Sequence, residues 1–384
     1  MNTRGTLRLA TRGSDLAQRQ AAIVKDALED RRYTVELVEV ETRGDQLRDE
    51  LIHRLGKTGA FVRALDEKVI DGELDGAVHS MKDMPTEQPD ELIVAGIPER
   101  ATPGDVLISP DGHELDALPD GARVGTASLR RRAQLLAKRP DLDVEPLRGN
   151  IDTRIEKLLA PHLQAEHQAR LEAEETEEAE NDEGEKNQGD EADGASEPPA
   201  IDDDRTVEEW FNDLAEIERR AMERAVDTEY DAIVLAAAGI ERSGLDHQLE
   251  YTALPPTQFA PAPGQGAIAV TAIEDSDASE AIHDAVDHPR TRVETTTERV
   301  ILATLGGGCI APIGVYAVVQ GSVVHVVAQV YSQDGEEAIT ATRDLPIKRY
   351  VETAREFADD LADRGAAELI EAAETDADQD VHND

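Results

Sequence analysis

Strand-like and helix-like runs alternate along the first hundred residues of this 384-residue chain. Apolar residues at every second position are typical of strands, and apolar residues three or four apart are typical of amphipathic helices. The runs fall near residues 7–9, 16–28, 35–40, 61–70, 74–78 and 92–97. Because strands that alternate with helices form βαβ units, the pattern predicts a mostly parallel sheet with both faces covered.

A second α/β unit begins near residue 102 and is interrupted by an acidic segment. Residues 171–204 contain sixteen acidic side chains, one lysine and only two large aliphatic residues. Such a segment cannot bury enough apolar surface to offset the entropy lost on ordering. It is predicted to be a disordered or loosely helical insertion on the surface. From about residue 290 a helix, three strand-like runs and a final helix over about 351–372 predict a small α+β domain.

The composition narrows the class of protein. The chain has 83 acidic and 39 basic residues, a net charge of -44, which disfavours binding to nucleic acids or anionic membranes and suits a salt-rich cytoplasm. The sequence contains no run of eighteen apolar residues, so no membrane span is predicted. The N-terminal stretch has no apolar core typical of a signal peptide, so a cytoplasmic protein is expected. Cys309 is the only cysteine, so neither an internal disulfide nor a cysteine metal site is predicted.

One stretch of this acidic chain is basic. Residues 121–160 contain nine basic and five acidic side chains. Four arginines lie near turns expected at one edge of a sheet: Arg130, Arg131, Arg148 and Arg154. They either bind carboxylates or phosphates or form salt bridges with acidic side chains on the surface. Salt bridges alone would explain Arg132, Lys138 and Arg139. Arg12 and Ser14, in an ATRGS turn before a helix, add a second anion site. The sequence contains neither a Walker motif nor a GxGxxG phosphate-binding loop, so a bound nucleotide is not predicted.

The stretch AVHSMKDMPT, residues 77–86, ends a short strand in polar and charged side chains. Lys82 and Asp83 could form a solvated turn before Pro85. They could equally face a ligand, since open α/β sheets bind ligands at the carboxyl ends of their strands.

Several motifs resemble those of the porphobilinogen deaminase family, also called hydroxymethylbilane synthases. In chain order they are ATRGS, GAFVRALDE, AVHSMKDMPT, VGTASLRRRAQ, LRGNIDTR, AAAGIERSGL, PAPGQGAIAV and LGGGCIAPIG. The combination of HSMKD with a later GGC loop is specific, and the resemblance fails only across the acidic insertion and the C-terminal tail.

The resemblance implies a fold of two α/β domains like those of periplasmic binding proteins, followed by a smaller C-terminal α+β domain. The expected boundaries are 1–100 with 264–287 for the first domain, 101–263 for the second with an insertion at about 163–226, and 288–384 for the third. It also implies the reaction. Four porphobilinogen molecules are joined head to tail with loss of ammonia, on a dipyrromethane cofactor held by a cysteine thioether, to give hydroxymethylbilane. A monomer that passes its product to a uroporphyrinogen-III synthase is expected.

The resemblance also assigns residues. Asp83 corresponds to the catalytic carboxylate, which stabilises a cationic azafulvene and assists proton transfers, and Lys82 corresponds to a group that holds a substrate carboxylate or protonates the leaving amine. Cys309 corresponds to the cofactor cysteine. The other expected cofactor ligands are Lys82, Asp83, Thr126, Ser128, Arg130, Arg131, Arg148 and Gly149. The expected substrate ligands are Arg12, Ser14, Gln20, Phe61, Arg148, Arg154 and Arg242.

One departure and two rival functions accompany this interpretation. The family often has GGKGLF where this chain has GKTGAF, so the role of the loop lysine, here Lys57, is open. A non-catalytic carboxylate-binding protein would need the arginines but neither Asp83 nor Cys309. An anion-binding transcriptional effector domain would need a DNA-binding module, which the acidic chain does not offer.

Overall fold

The computed structural model describes residues 3–40, 60–182, 205–306 and 311–383. Its strands are β1 (Gly5–Thr11), β2 (Tyr33–Glu39), β3 (Gly76–Ser80), β4 (Leu92–Gly96), β5 (Asp105–Ile108), β6 (Arg123–Thr126), β7 (Asp143–Pro146), β8 (Ala232–Ala236), β9 (Thr252–Leu254), β10 (Ile268–Ile273), β11 (Ile313–Gln320), β12 (Val323–Tyr331) and β13 (Ala338–Pro346). Its α-helices are α1 (Asp15–Asp30), α2 (Ala60–Ile70), α3 (Leu129–Lys138), α4 (Ile151–Asp182), α5 (Val207–Asp213), α6 (Glu216–Met222), α7 (Ala237–Ser243), α8 (Asp277–Val286), α9 (Pro289–Leu305), α10 (Tyr350–Leu361) and α11 (Ala367–Asn383).

The first sheet has the strand order β2-β1-β3-β10-β4. β1 runs parallel to β2 and β3, whereas β10 runs antiparallel to β3 and β4. β4 therefore runs in the same direction as β1, β2 and β3, so four of the five strands are parallel, as predicted, and β10 is reversed. The reason is that β10 enters it after the chain has passed through the second sheet, from the opposite end.

The second sheet repeats this arrangement with the order β7-β6-β8-β5-β9. β6 is parallel to β7 and β8, and β5 is antiparallel to β8 and β9. Alternate residues of β8 pack on opposite faces: Ile233 and Leu235 with α4, and Ala232 and Val234 with the cluster that includes Leu135 of α3. The sheet is thus covered on both faces, as the alternating pattern predicts.

The third sheet, β11-β12-β13, is antiparallel throughout and packs against α9 and α10. The predicted fold class, two α/β units and a smaller C-terminal α+β unit, is confirmed by these three sheets. The single C-terminal helix predicted over about 351–372 is wrong, because Gly365, with φ of 106°, interrupts it between α10 and α11. The domain boundaries stay a prediction.

None of the described helices is long and apolar enough to cross a membrane.

The region predicted as an insertion, about 163–226, contains helical segments and buried residues. α4 continues to Asp182, so the first part of the acidic segment is helical. Beyond the acidic segment, Trp210 is 3% exposed and lies in the same apolar cluster as Leu163 and Ile217. The Arg170 guanidinium stands over the Trp210 ring, 5.5 Å from its centroid. Residues 183–204, the rest of that segment, lie outside the described residues.

Replacing residues 183–204 with a short Gly/Ser linker is expected to leave both stability and activity nearly unchanged. Their composition supports no core, and a hydrogen bond outside them already joins the flanking helices: Val207 N donates to Glu174 Oε1 at 2.7 Å. Trp210→Ala is the contrasting variant, because truncating a buried tryptophan costs about 3–5 kcal/mol. Urea unfolding of the three proteins at equal salt would measure both effects. A linker variant as unstable as Trp210→Ala would contradict this expectation.

Candidate functional site

A cleft of about 1480 Å³ lies between the two five-stranded sheets. It is lined by residues at or just after the carboxyl ends of strands in both sheets: Arg12 after β1, Lys82 after β3, Thr126 at the end of β6 and Ser128 after it, Arg148 after β7, and Ala238 after β8. Ligands of open α/β sheets bind at this edge. The cleft therefore lies where the topology predicts a binding site.

The N-terminus of α1 forms one wall of the cleft. Ser14 caps the helix, its Oγ accepting from Ala17 N at 3.4 Å, and both Ser14 and Arg12 line the cleft. Gln20 also lines it, although its side chain is largely buried. A helix N-terminus with a neighbouring arginine is suited to an anion.

The N-terminus of α3 lies on the opposite wall. Thr126 Oγ1 accepts from Ser128 N at 3.2 Å, and Ser128 Oγ in turn accepts from Arg131 N at 3.4 Å. Arg131 lines the cleft; its Nη2 donates to Asp105 Oδ1 at 2.7 Å, while its buried Nε has no partner among the described atoms. A carboxylate in the cleft could accept from that Nε.

Arg130 is not among the residues that line the cleft, and its role as a cofactor ligand stays a prediction. It is 5% exposed and donates to Gln134 Oε1 at 2.7 Å, Ala260 O at 2.8 Å and Asp105 Oδ2 at 2.8 Å. Arg130 and Arg131 both reach the carboxylate of Asp105, one at each oxygen. Arg130 holds Asp105, which in turn orients Arg131.

Asp105 joins these two arginines in the interior. Burial alone would raise the pKa of Asp105, but attraction and hydrogen bonds from Arg130 and Arg131 hold it well below the usual range. Gln265 Nε2 donates a further bond to Asp105 Oδ1 at 2.8 Å. Asp105 is therefore ionised, and it offsets part of the positive charge behind the cleft.

The turn between β7 and α4 supplies the next cations. Asn150 caps α4, its Oδ1 accepting from Thr153 N at 2.8 Å. Gly149 adopts φ of 120°, and a Cβ there would lie 2.5 Å from the Thr153 side chain. Arg154 Nε donates to Gly149 O at 2.8 Å. Burial lowers the pKa of Arg154 to about 10, and repulsion from Arg131 contributes. Arg148 and Gly149 line the same part of the cleft.

Arg242 of α7 lines the cleft although the acidic segment separates it in sequence from the other arginines. Its Nη2 donates to Gly266 O at 2.7 Å, and its buried Nε has no partner among the described atoms. Burial lowers the pKa of Arg242, and Glu241 opposes that effect.

Lys82 and Asp83 lie in a short 3₁₀ turn, Met81–Asp83, directly after β3. The half-buried Lys82 lines the cleft, and burial lowers its pKa. Arg131 and Arg154 lower that pKa further, whereas Asp83 and Asp105 raise it. The Asp83 side chain is exposed beside Lys82 and is not among the groups that line the cleft.

Three groups that matter to the site were not predicted. Arg299 of α9 fixes the Lys82 turn, because its guanidinium donates to the carbonyl oxygens of Met81, Met84 and Pro85 at 3.3, 3.2 and 2.7 Å. Gln265 lies in the PAPGQGAIAV motif, which could have indicated it. Arg19 lines the cleft on α1, one helical turn beyond Asp15.

Three predicted residues cannot be placed. Cys309 and Lys57 lie outside the described residues, as does the side chain of Phe61. The described residues contain no group of three His, Cys, Asp or Glu side chains positioned to hold a metal ion.

Two family models match this chain. One, described as "Porphobilinogen deaminase, dipyromethane cofactor binding domain", matches residues 7–171 and 215–281. The other, "Porphobilinogen deaminase, C-terminal domain", matches residues 293–364. The gap in the first match contains the acidic segment.

Curated relatives cover nearly the whole chain. A probable porphobilinogen deaminase of Halobacterium salinarum is 54% identical and covers 97% of this chain and 99% of its own length. A porphobilinogen deaminase of Campylobacter fetus is 33% identical over 96% of this chain and 98% of its own. Among solved structures, a methionine binding protein, MetQ, is similar with a TM-score of 0.33 and 12% identity over 73% of this chain and 89% of its own. That structural similarity is too weak to carry an argument.

Proposed function

The chain belongs to the porphobilinogen deaminase family, and from that premise we propose which of its residues carry out the reaction. The enzyme is a hydroxymethylbilane synthase, a transferase of porphyrin biosynthesis. It condenses four porphobilinogen molecules head to tail into hydroxymethylbilane, releases ammonia, and uses a dipyrromethane cofactor as primer.

The observation that supports the site is the convergence of cations on one cleft of an acidic protein. Arg131 is close enough to lower the pKa values of both Lys82 and Arg154, and Arg154 in turn lowers the pKa of Lys82. Like charges gathered in a partly buried site are unfavourable unless an anion joins them. Each pyrrole ring of the substrate carries two carboxylates, so a growing chain supplies the missing negative charge.

The groups lining the cleft fit the dipyrromethane. The buried Nε atoms of Arg131 and Arg242 have no partner among the described atoms and can donate to carboxylates. When bound, the cofactor supplies the pyrrole carbon to which the first substrate is joined. Its proposed ligands are Thr126, Ser128, Arg131, Arg148 and Gly149, with Lys82 and Asp83 close by and Cys309 as the point of attachment. Arg130 holds Asp105, and its role as a cofactor ligand stays a prediction.

Lys82 and Asp83 are proposed to act on the substrate. Because burial and two arginines lower the pKa of Lys82, its ammonium releases a proton more readily than a solvated lysine and can protonate the departing amine. The Asp83 carboxylate offsets the positive charge left on porphobilinogen when ammonia departs, and it accepts the proton lost from the new pyrrole link.

Substrate carboxylates are proposed to bind at the α1 N-terminus and at the arginines of the second sheet. The proposed ligands are Arg12, Ser14, Gln20, Phe61, Arg148, Arg154 and Arg242. The wall formed by α1 and the wall formed by α3 and α4 then contact the chain from opposite sides, which would hold each incoming ring in a fixed orientation.

We also propose that one chain is sufficient for activity, because both walls of the cleft come from the same chain.

A cytoplasmic location fits a mechanism that needs a reduced thiol, since cytoplasmic thiols are kept reduced. Transfer of hydroxymethylbilane to a uroporphyrinogen-III synthase is proposed as the next step.

Incubation of the purified protein with porphobilinogen tests the function directly. We expect four ammonia molecules to be released for each hydroxymethylbilane formed, measured by ammonia assay and by absorbance after oxidation to porphyrin. A carboxylate-binding protein without catalytic activity would bind porphobilinogen without consuming it, and that result would overturn the proposed function.

A further inference from the structure

Two arginines meet across the cleft from opposite walls. Arg19, on α1, donates from Nη1 to the main-chain carbonyl of Arg242 at 3.2 Å. α1 packs on the first sheet, whereas α7, which carries Arg242, follows β8 of the second. Both side chains line the cleft. The carbonyl of Arg242 lies at the C-terminal end of α7, where a cation is favourable.

Arg19 is an exposed arginine in a strongly acidic chain. With 83 acidic residues against 39 basic ones, arginines elsewhere are often paired, as Arg220 is with Glu156 and Arg139 with Asp141. Among the described residues no carboxylate lies within ion-pair distance of the Arg19 guanidinium, although the side chain is exposed. Across the cleft, the buried Nε of Arg242 also has no partner among the described atoms.

The position of Arg19 extends the anion-binding wall along α1. Five residues separate it from Ser14, which corresponds to about 7.5 Å along a helix. The cleft, at about 1480 Å³, is larger than the roughly 300–1,000 Å³ that small-molecule sites occupy. It has room for a polymer of several carboxylate-bearing rings, which needs more cations than a single ring does.

We propose that Arg19 is a further binding residue for the growing pyrrole chain and that Arg19 and Arg242 hold one of its carboxylates between the two walls. The arginine fork can keep its bond to the Arg242 carbonyl through Nη1 while its remaining N–H groups face the ligand. The inference rests on the proposed function, because it needs the cleft to hold the polycarboxylate chain.

Steady-state kinetics of charge-removal variants test the inference with porphobilinogen as the probe. Arg19→Gln is expected to raise KM by about fivefold or more while kcat stays within about twofold, since it removes binding rather than chemistry. Arg19→Lys keeps the charge but loses the fork, so a smaller rise is expected. Lys25→Gln is the matched control: it removes a cation from the same helix, where Lys25 pairs with Glu29 at 3.7 Å, and is expected to leave KM unchanged.

A double-mutant cycle separates this inference from the proposed site. If both arginines hold the same carboxylate, Arg19→Gln adds no more than about a twofold rise in KM once Arg242→Gln is present. A KM for Arg19→Gln equal to that of Lys25→Gln overturns the inference, as do fully multiplicative effects. If Arg242→Gln itself leaves KM unchanged, the proposed binding site fails instead. Should Arg19→Gln not fold, an unchanged KM for Arg19→Lys overturns the inference.

Discussion

Replacing Cys309 with serine is expected to give a folded protein that carries no dipyrromethane and forms no hydroxymethylbilane. Serine nearly preserves the side-chain volume, but its hydroxyl is a far weaker nucleophile than a thiolate. Cys309 is the only cysteine in the chain, so no other thiol can take its place. The variant is also expected to unfold at a lower temperature, because a bound polyanion that neutralises Arg131, Arg154 and Lys82 stabilises only the folded state.

Measuring the intact protein mass shows whether dipyrromethane is attached to Cys309. The wild type is expected to exceed its sequence mass by one dipyrromethane, whereas Cys309→Ser is expected to match its sequence mass. Thr304→Ser is a suitable control, because Thr304 lies near the C-terminal end of α9 and its hydroxyl bond to Val300 O can be kept by serine. An unmodified wild type with full activity would remove Cys309 from the mechanism.

The local features of the site could be predicted from the sequence. Ser14 was expected in a turn before a helix, and it accepts a backbone N–H at the start of α1, as Asn150 does at the start of α4. Helix capping depends on residues two or three positions apart, so a short stretch of sequence contains the whole signal. The alternation of strands and helices is equally local, and it predicted the covered sheets.

Features that depend on distant partners could not be predicted. Whether Arg130 or Arg131 lines the cleft depends on Asp105 and Ala260, which pack against α3 from elsewhere in the chain. The antiparallel entry of β10 follows from the path of the chain through another sheet. The guanidinium of Arg299 donates to the carbonyl oxygens of Met81, Met84 and Pro85. Every residue has a carbonyl oxygen, so the sequence does not indicate these bonds.

The acidic segment shows the limit of composition as a signal. Its composition predicts that residues 171–204 form no core, and that prediction does not extend to the apolar residues that follow the segment. Trp210 is buried because α5 returns to pack on α4. A single tryptophan in an acidic surrounding does not reveal such a return, because the return depends on contacts with residues about forty positions earlier.

Replacing Asp83 with asparagine is expected to lower turnover at least a hundredfold while folding and cofactor content stay nearly normal. The asparagine side chain has the same shape but no charge to offset the cation formed when ammonia departs. Losing one such electrostatic group costs about 3 kcal/mol, which is about a hundredfold in rate. Folding is expected to be unaffected, because the Asp83 side chain is exposed and the turn is held by the carbonyl bonds of Arg299.

The pH profile and a matched variant distinguish this role from a structural one. Burial, Arg131 and Arg154 lower the pKa of Lys82, and the Asp83 carboxylate opposes them by raising it. Without the carboxylate, Lys82 loses its proton at lower pH, so the alkaline limb of the residual activity should move to lower pH. Asp90→Asn removes an exposed carboxylate seven positions further along and should leave both rate and profile unchanged. Near-normal hydroxymethylbilane formation by Asp83→Asn would exclude the catalytic assignment, because an exposed side chain without a catalytic role should tolerate the change.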